Sequence, residues 1–369
     1  MHPSPVRRAV RRVDDLVAAG LLEPSAAAEL EPVTRQLSLA ITPEMLAAID
    51  PDDPDDPIRR QFVPAAAELE VDPAERHDPI GDDRFTPLAG ITHRHPDRAL
   101  LKPVHVCPVY CRFCFRREKV GPGGAALSRT ELRAALDYVR AHPEIWEVIL
   151  TGGEPLVLSP RRLRGIVRAL DAIAHVGTIR VHTRVPVVDP GRVTAELVEA
   201  LRAATPVWVV VHANHPRELG PAAREALARL ADGGVPLLAQ TVLLRGVNDD
   251  ADTLAELLRA LVRLRVKPYY LHQGDLARGT GHLRTTIAEG QALVRELRRR
   301  VSGTCLPTYV LDVPGGHGKV PVGPSYLEAA EDGWFVEDVA GCVHRYPPGP
   351  EPASDPRSQQ GESRIVRAT

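Results

Sequence analysis

The sequence is poor in cysteine, lysine and aromatic residues. It has five cysteines among 369 residues, aromatic residues make up 4%, and the only lysines are Lys102, Lys119, Lys267 and Lys319. An odd number of cysteines with three of them close together does not form an even disulfide framework, and the reducing cytosol would not maintain one. Clustered thiols in such a protein indicate a metal centre more often than a structural crosslink.

Strong charge and long apolar runs are also absent. The formal net charge is −2, and no cluster of basic residues forms a stripe that could follow a phosphate backbone, so nucleic acid is not an expected partner. No stretch of about 18 apolar residues is present, and the basic N-terminus lacks the apolar run of a signal peptide. We therefore expect a cytoplasmic protein without a membrane anchor.

From about residue 99 onward, apolar strands alternate with amphipathic helices. Six or more such repeats predict a parallel sheet covered by helices, and both a closed or partial barrel and a doubly wound open sheet fit this pattern. Residues 1–90 are predicted as short helices with an acidic, proline-rich linker at 51–57. Residues 91–330 are predicted to form the catalytic domain, and residues 331–369 a C-terminal extension that is disordered from about 346.

Polar residues stand at the predicted carboxyl ends of several strands, where parallel α/β folds bind their ligands. Cys107 follows the first strand, His212 a middle one and Asp275 a later one, and Asp312 and Lys319 follow the last strand. Gln240 lies within a further strand. We therefore expect these side chains to share one site.

The stretch "CPVYCRFC" places Cys107, Cys111 and Cys114 in the spacing C-x3-C-x2-C. Structural zinc takes four ligands, whereas an iron–sulfur cubane held by three thiolates keeps one iron free for a further ligand. The alternatives are a zinc site completed by a histidine such as His93 or His105 and a chance grouping of buried cysteines. The spacing favours the cubane.

Lys319 follows a glycine-rich turn in "DVPGGHGKVPV". This is not a phosphate-binding Walker A loop, because Val313 stands where the first glycine is needed and Val320 where Ser or Thr should be. A lysine confined in a loop can lose solvation and gain the lowered pKa that a Schiff-base nucleophile needs. The alternative is an ordinary surface lysine in a turn.

The cysteine loop resembles the signature of the radical S-adenosylmethionine (SAM) superfamily. "TGGEP" is similar to the superfamily's glycine-rich turn after the second strand, which implies that Gly152, Gly153 and Glu154 lie against the methionyl end of SAM. The resemblance also implies a [4Fe-4S] cluster on the three cysteines, whose open iron binds SAM, and a 5′-deoxyadenosyl radical as the reactive species.

Five segments resemble the lysine 2,3-aminomutase family in the expected order, over roughly residues 55–330. They are "THRHPDRALL", "CPVYCRFCFRR", "QTVLLRGVND", "GDLARGTGHLRT" and "YVLDVPGGHGKVPV". The resemblance implies an α/β fold, a partial (β/α)6-type parallel barrel with an N-terminal helical extension. It further implies pyridoxal 5′-phosphate (PLP) as a cofactor and the conversion of L-lysine to β-lysine by amino migration.

The resemblance also implies roles for individual cofactor-binding residues. Lys319 matches the lysine that holds PLP covalently. Arg94 and Arg98 match the arginines that bind the PLP phosphate, and His212 and Gln240 match positions that contact SAM.

Three further residues match substrate-binding positions. Arg116 matches the arginine that binds the substrate α-carboxylate, and Asp275 and Asp312 match the pair that holds the ε-ammonium. Two acids in one closed pocket repel unless a cation lies between them, so the pair predicts a substrate with a distal positive charge. Arg117 receives no role.

Some positions depart from the family pattern. Glu154 replaces an aspartate, His317 interrupts a run of glycines and His95 replaces a tyrosine. Cys305 and Cys342 are too few and too far apart to predict a zinc site near the C-terminus. None of these changes removes a group that the chemistry requires, but they leave open which substrate within the family this branch uses.

Three alternatives remain open from the sequence. The enzyme could supply β-lysine for modification of a translation factor, catalyse another radical SAM reaction without PLP, or be a zinc-stabilised binding protein. The expected partners are a small amino-acid substrate, an electron donor such as flavodoxin or ferredoxin, and further copies of the chain in a homo-oligomer.

Overall fold

The fold is seen in a computed structural model, which describes residues 9–348. Its main sheet has nine strands in sequence order. They are β1 (Ile91–His95), β2 (Arg98–Val104), β3 (Glu147–Gly152), β4 (Thr178–Thr183), β5 (Val207–His212), β6 (Leu237–Val242), β7 (Val266–His272), β8 (Thr308–Val313) and β9 (Gly318–Pro321).

Strands β2 to β8 pair in parallel, each with the next along the chain, and antiparallel β1 and β9 flank them. Because parallel neighbours need a crossover on the sheet face, the apolar strands are covered by helices. Val148, Leu150, Ile179 and Val209 are accordingly fully buried. The prediction of a partial (β/α)6-type barrel is confirmed, and the carboxyl ends of the parallel strands meet at one edge.

The helices that precede and cover the sheet are α1 (Val13–Ala18), α2 (Ala27–Gln36), α3 (Pro43–Ala48), α4 (Pro57–Phe62), α5 (Arg129–Ala141), α6 (Pro160–Asp171), α7 (Val185–Val188), α8 (Ala195–Ala200), α9 (Pro221–Asp232), α10 (Ala251–Arg263) and α11 (Ile287–Arg300). Within residues 9–348, every helix is too short or too polar to cross a bilayer.

Local capping explains where the crossover helices begin. Ser128 accepts a hydrogen bond from the Glu131 amide, and the Glu131 carboxylate accepts one from the Ser128 amide, which forms a capping box at α5. Ser159 caps α6 through the Arg162 amide, and Pro160 fills the first turn, where no amide donor is needed. Both helix starts therefore depend on residues within one turn of the cap.

The N-terminal helices share one hydrophobic core with the barrel. Leu16, Ile41 and Phe62 are fully buried in the same cluster as Ile91 and Leu101 of the first two strands. One compact unit accordingly extends to Gly323.

The acidic run at 51–57 forms turns that lead into α4. Its Asp56 is fully buried and caps α4 by accepting hydrogen bonds from the amides of Ile58 and Arg59, at 2.8 Å each. The acidic, proline-rich run therefore also sets the start of α4.

A second unit begins at Pro324. Its antiparallel sheet consists of β10 (Leu327–Ala330), β11 (Gly333–Glu337) and β12 (Val343–Tyr346). The predicted disordered tail starts at about 346, so apart from its first three residues it lies outside the described residues. The boundaries proposed at 90 and 330 stay predictions.

Candidate active site

A cavity of about 500 Å³ opens at the carboxyl edge of the parallel strands. Every site residue predicted from the sequence lines it: Cys107, Cys111, Cys114, Arg94, Arg98, Arg116, Gly152, Gly153, Glu154, His212, Gln240, Asp275, Asp312 and Lys319. The thiols and the loop amine therefore face one space, as a reaction shared by two cofactors requires. The roles of these residues stay predictions.

The three thiols form one wall of this cavity. Cys107, Cys111 and Cys114 are free cysteines, each partly exposed to the cavity. Burial, followed by repulsion from Cys111, raises the pKa of Cys114 to about 11. Burial likewise raises the pKa of Cys107, to which Cys114, Glu154 and Cys111 add repulsion. Such thiols become ligands once a cationic centre stabilises their thiolates, so the donor set fits an iron–sulfur cluster.

A site for a single metal ion is not formed among residues 9–348. No group of three or more His, Cys, Asp or Glu side chains in that range is arranged to hold one metal ion. A cubane presents three separate irons to its three thiolates, so its ligands need not converge on one point as the ligands of zinc do.

The glycine turn after β3 passes very close to the cysteine loop. A Cβ atom on Gly153 would lie 2.5 Å from the carbonyl carbon of His105, and Gly152 has a φ of +111°. The backbone of this turn can therefore approach the wall of the cavity without side chains between. Glu154 uses its carboxylate to accept hydrogen bonds from the amides of Leu156 (3.1 Å) and Arg184 (2.6 Å).

Lys319 faces the cavity from β9. It lies opposite Asp312 in the β8–β9 pair, and its ammonium forms an ion pair with the Asp312 carboxylate. The turn between the two strands needs glycine, because Gly315 and Gly316 have φ of +84° and +83°. Phe85 covers Gly316 so closely that a Cβ atom there would lie 2.6 Å from its ring. The lysine is therefore presented by a turn in which the backbone of Gly316 leaves no room for a side chain.

The predicted phosphate-binding arginines lie on the first two strands. Arg94 donates to Asp312 at 3.3 Å, yet its buried Nε has no partner among the described residues. Arg98 is more exposed and pairs with Asp97 at 3.0 Å. An unpartnered buried guanidinium donor beside Lys319 and Asp312 fits an anionic group, and a PLP phosphate is such a group.

Asp82 is a site residue that the sequence analysis missed. Its carboxylate accepts hydrogen bonds from Arg94 at 2.6 Å and from Arg116 at 2.7 and 3.0 Å. Although burial opposes ionisation, the arginines hold the pKa of Asp82 below its usual value. One carboxylate thus orients two arginines of the cavity. Asp82 lies in an irregular segment, and no local pattern marked it.

The paired acids have different surroundings. Asp312 is engaged by Lys319 and Arg94, whereas burial and the nearby Asp312 charge raise the pKa of Asp275 to about 7, against the opposing effects of Lys319 and Arg116. Two carboxylates that disfavour each other's charge form a site that an added cation would stabilise.

Buried imidazoles contribute neutral groups to the cavity. Burial lowers the pKa of His212 well below its usual value, and its Nε2 lies 3.0 Å from Asn214 Oδ1. Burial also lowers the pKa of His272 to about 3. Nε2 of His182 is buried and has no partner among residues 9–348. Gln240 lies beside His212 in the β5–β6 register.

Arg184 is the second residue missed by the sequence analysis. It follows β4 directly and donates from Nη1 to the sulfur of Cys111 at 2.8 Å. A signal for it did exist, because it is a polar residue at the carboxyl end of a strand, the criterion that selected His212 and Asp275.

Comparison with known proteins defines the class of this site. A family model described as the radical SAM superfamily matches residues 101–258, and one described as lysine-2,3-aminomutase matches residues 294–368. The L-lysine 2,3-aminomutase of Clostridium subterminale is 42% identical over 85% of this chain and 75% of its own. A putative L-lysine 2,3-aminomutase of Aquifex aeolicus is 43% identical over 83% and 84% of the two chains. The glutamate 2,3-aminomutase of Clostridioides difficile is 39% identical over 81% and 70%.

Fold, cavity and cysteine loop together define a radical SAM enzyme, the class that joins a [4Fe-4S] cluster to SAM. Within that class the chain belongs to the lysine 2,3-aminomutase family, whose members are isomerases. The resemblance recognised from the sequence is confirmed.

Proposed function

We propose that this protein converts L-lysine to β-lysine by moving the amino group between neighbouring carbons, with PLP bound at Lys319. The observation that carries the proposal is the presence of the three free thiols, the Lys319 amine and the Asp275–Asp312 pair around one cavity. The proposed partners are a small amino acid and a one-electron donor such as flavodoxin or ferredoxin.

Cys107, Cys111 and Cys114 would ligate the cluster, and the Gly152–Gly153 backbone with His212 and Gln240 would contact SAM. When bound, the cluster and SAM supply a radical that abstracts hydrogen, and PLP supplies the conjugated system through which nitrogen migrates. The cavity walls keep these groups together and limit the access of water. A carbon radical needs both close reacting groups and the exclusion of water.

The PLP side of the cavity is provided by strands β1, β2 and β9. Lys319 would hold the cofactor covalently, and Arg94 and Arg98 would bind its phosphate as forked donors. The unpartnered Nε of Arg94 supports this role, because a phosphate oxygen would satisfy it.

The substrate would be held at both ends. Arg116 is fixed by two hydrogen bonds to Asp82 and keeps Nη1 for a further acceptor, which suits an α-carboxylate. At the other end, Asp312 already pairs with the primary ammonium of Lys319 and is therefore able to hold another of the same chemistry. Once Lys319 binds PLP, a substrate ammonium can take over that ion pair.

This charge arrangement favours lysine over glutamate. The side-chain carboxylate of glutamate would meet Asp275 and Asp312, and like charges in a buried pocket repel strongly. A lysine ammonium would instead separate the two acids and stabilise both. Use of the product in modifying a translation factor would leave these residues unchanged and is a question of metabolic context.

The test is anaerobic reconstitution with iron, sulfide, PLP, SAM and a reductant, followed by product analysis with lysine, arginine, ornithine and glutamate. We expect β-lysine from lysine and no product from glutamate. Isomerisation of glutamate, or of none of the four amino acids, would contradict the proposal.

Two variants separate the cofactor from the substrate. Lys319→Ala should lose the absorbance band of bound PLP, and Asp312→Asn should keep that band while the KM for lysine rises about tenfold or more, since a buried ion pair is lost. Asp137→Asn on the surface of α5 is the matched control. A radical SAM reaction without PLP would leave the spectrum of Lys319→Ala unchanged.

A further inference from the structure

The Arg184 guanidinium lies between the cysteine loop and a buried acid. Its Nη1 donates to Cys111 Sγ at 2.8 Å, and its Nη2 donates to Glu218 at 2.7 Å and to Gln61 at 2.6 Å. The Arg184 side chain is 6% exposed, and that of Glu218 is fully buried. One positive charge is thus held in direct contact with a sulfur atom that faces the cavity.

The surroundings leave this guanidinium little freedom. It stacks over the rings of Phe62 and Phe113, 4.7 and 5.3 Å from their centres. Gln61 also donates to Glu218 at 3.0 Å, so the two side chains that accept hydrogen bonds from Arg184 Nη2 hold each other in place. A planar guanidinium that is held by hydrogen bonds from both terminal nitrogens and lies over two aromatic rings keeps its N–H directed at Cys111.

A charged hydrogen bond to a cluster sulfur changes the chemistry of the metal centre. Reduction adds negative charge to an iron–sulfur cluster, and hydrogen bonds to its sulfurs together with nearby charge set its potential. A fixed N–H and a positive charge at Cys111 therefore stabilise the reduced cluster, and the negative charge of Glu218 partly opposes that effect.

We propose that Arg184 tunes the reduction potential of the cluster through its contact with Cys111, and that Glu218 and Gln61 position it for this task. The inference rests on the part of the proposed function that places a cluster on Cys107, Cys111 and Cys114. It does not depend on PLP or on which amino acid is isomerised. Its natural readout is the potential of the cluster alone.

The experiment measures the midpoint potential of the reconstituted cluster by titration followed with electron paramagnetic resonance, without SAM and PLP. For Arg184→Gln we expect the equilibrium constant of reduction to fall about tenfold, a shift of about 59 mV to more negative potential. For Glu218→Gln we expect a shift of opposite sign, because a buried negative charge is removed while Gln61 still holds the arginine. Iron and sulfide contents are measured in parallel.

The matched control is Arg180→Gln, which removes a cavity arginine that pairs with Glu147 at 2.8 Å. Its shift should be clearly smaller than that of Arg184→Gln. An unchanged potential in Arg184→Gln with full iron content, or shifts of the same sign in both the Arg184 and Glu218 variants, would overturn the inference. If Arg184→Gln does not fold, the potential of Glu218→Gln is the deciding measurement. A shift of the midpoint potential to a more positive value supports the inference, and no shift or a negative shift overturns it.

The outcomes separate this inference from the proposed function. Opposite shifts in a protein that does not isomerise lysine would keep the role of Arg184 and reject the substrate. If the enzyme makes β-lysine while both variants keep the wild-type potential, the proposed function stands and the role of Arg184 is rejected.

Discussion

Asp275 is a buried acid in the cavity whose ionisation lowers the stability of the folded chain. Its folded pKa of about 7 lies above the ordinary value of 3.8, because burial and the Asp312 charge disfavour ionisation. The folded chain therefore binds more protons than the unfolded chain between about pH 4 and pH 7. The stability of the unliganded protein should therefore fall as pH rises through this window, and Asp275 should cause no further loss above it.

The first prediction concerns Asp275→Asn in the unliganded protein. Because the amide carries no charge, the variant should be more stable than the wild type at pH 8 and gain much less at pH 5. Each pKa unit is worth roughly 1.4 kcal/mol, so we expect an advantage of about 2 kcal/mol or more at pH 8. Chemical denaturation at the two pH values measures it, and a variant less stable than the wild type at pH 8 would contradict the placement of Asp275.

Between β3 and α6, the glycine turn depends on the close approach of two backbones. A Cβ atom on Gly153 would lie 2.5 Å from both the His105 carbonyl carbon and the Val106 oxygen. Neither atom belongs to a flexible side chain, so the backbones themselves would have to separate. The turn and the start of the cysteine loop are consequently one structural element.

The second prediction compares two glycines of this region. Gly153→Ala should destabilise the unliganded protein by about 3 kcal/mol or more, as severe overpacking does. Gly165→Ala is the control, since Gly165 is exposed in α6 with no atom within 4 Å of the new Cβ, and alanine should stabilise the helix by up to about 1 kcal/mol. Denaturation in urea measures both, and a neutral Gly153→Ala would refute the close approach.

At the scale of the whole molecule, Glu68 connects parts of the chain that are distant in sequence. Its fully buried carboxylate accepts hydrogen bonds from Arg112 Nε at 2.9 Å and from Arg112 Nη2 at 2.5 Å, and it pairs with Arg117. Arg117 also donates to the Gly279 carbonyl at 3.3 Å. The N-terminal segment, the cysteine loop and the loop after β7 thus meet at one acid. This contact also accounts for Arg117, which received no role from the sequence.

The third prediction follows from that junction. Glu68→Gln leaves two buried guanidinium groups without their counter-charge, which should cost about 3–5 kcal/mol of unfolding free energy. Because both arginines belong to the cysteine loop, the iron content after reconstitution should fall as well. Glu31→Gln, which breaks an exposed pair with Arg35, is the control and should change neither quantity measurably.

Two outcomes for Glu68→Gln would contradict all or part of this prediction. Unchanged denaturation together with a full complement of iron would mean that the N-terminal segment does not support the cysteine loop. Loss of stability with full iron would confine the role of Glu68 to the fold.

The sequence by itself determined the alternation of strands and helices, the starts of α5 and α6 and the spacing of the three cysteines, and it indicated that polar residues at the ends of the strands share one site. These features depend on periodic burial, on capping within a few residues and on the fact that parallel strands end at one edge. Only the tertiary structure decided the contact of Arg184 with Cys111, the bridging of two arginines by Asp82 and the burial of Glu68. Ion pairs of this kind join residues far apart in the chain, and no local pattern specifies which buried charge will meet which.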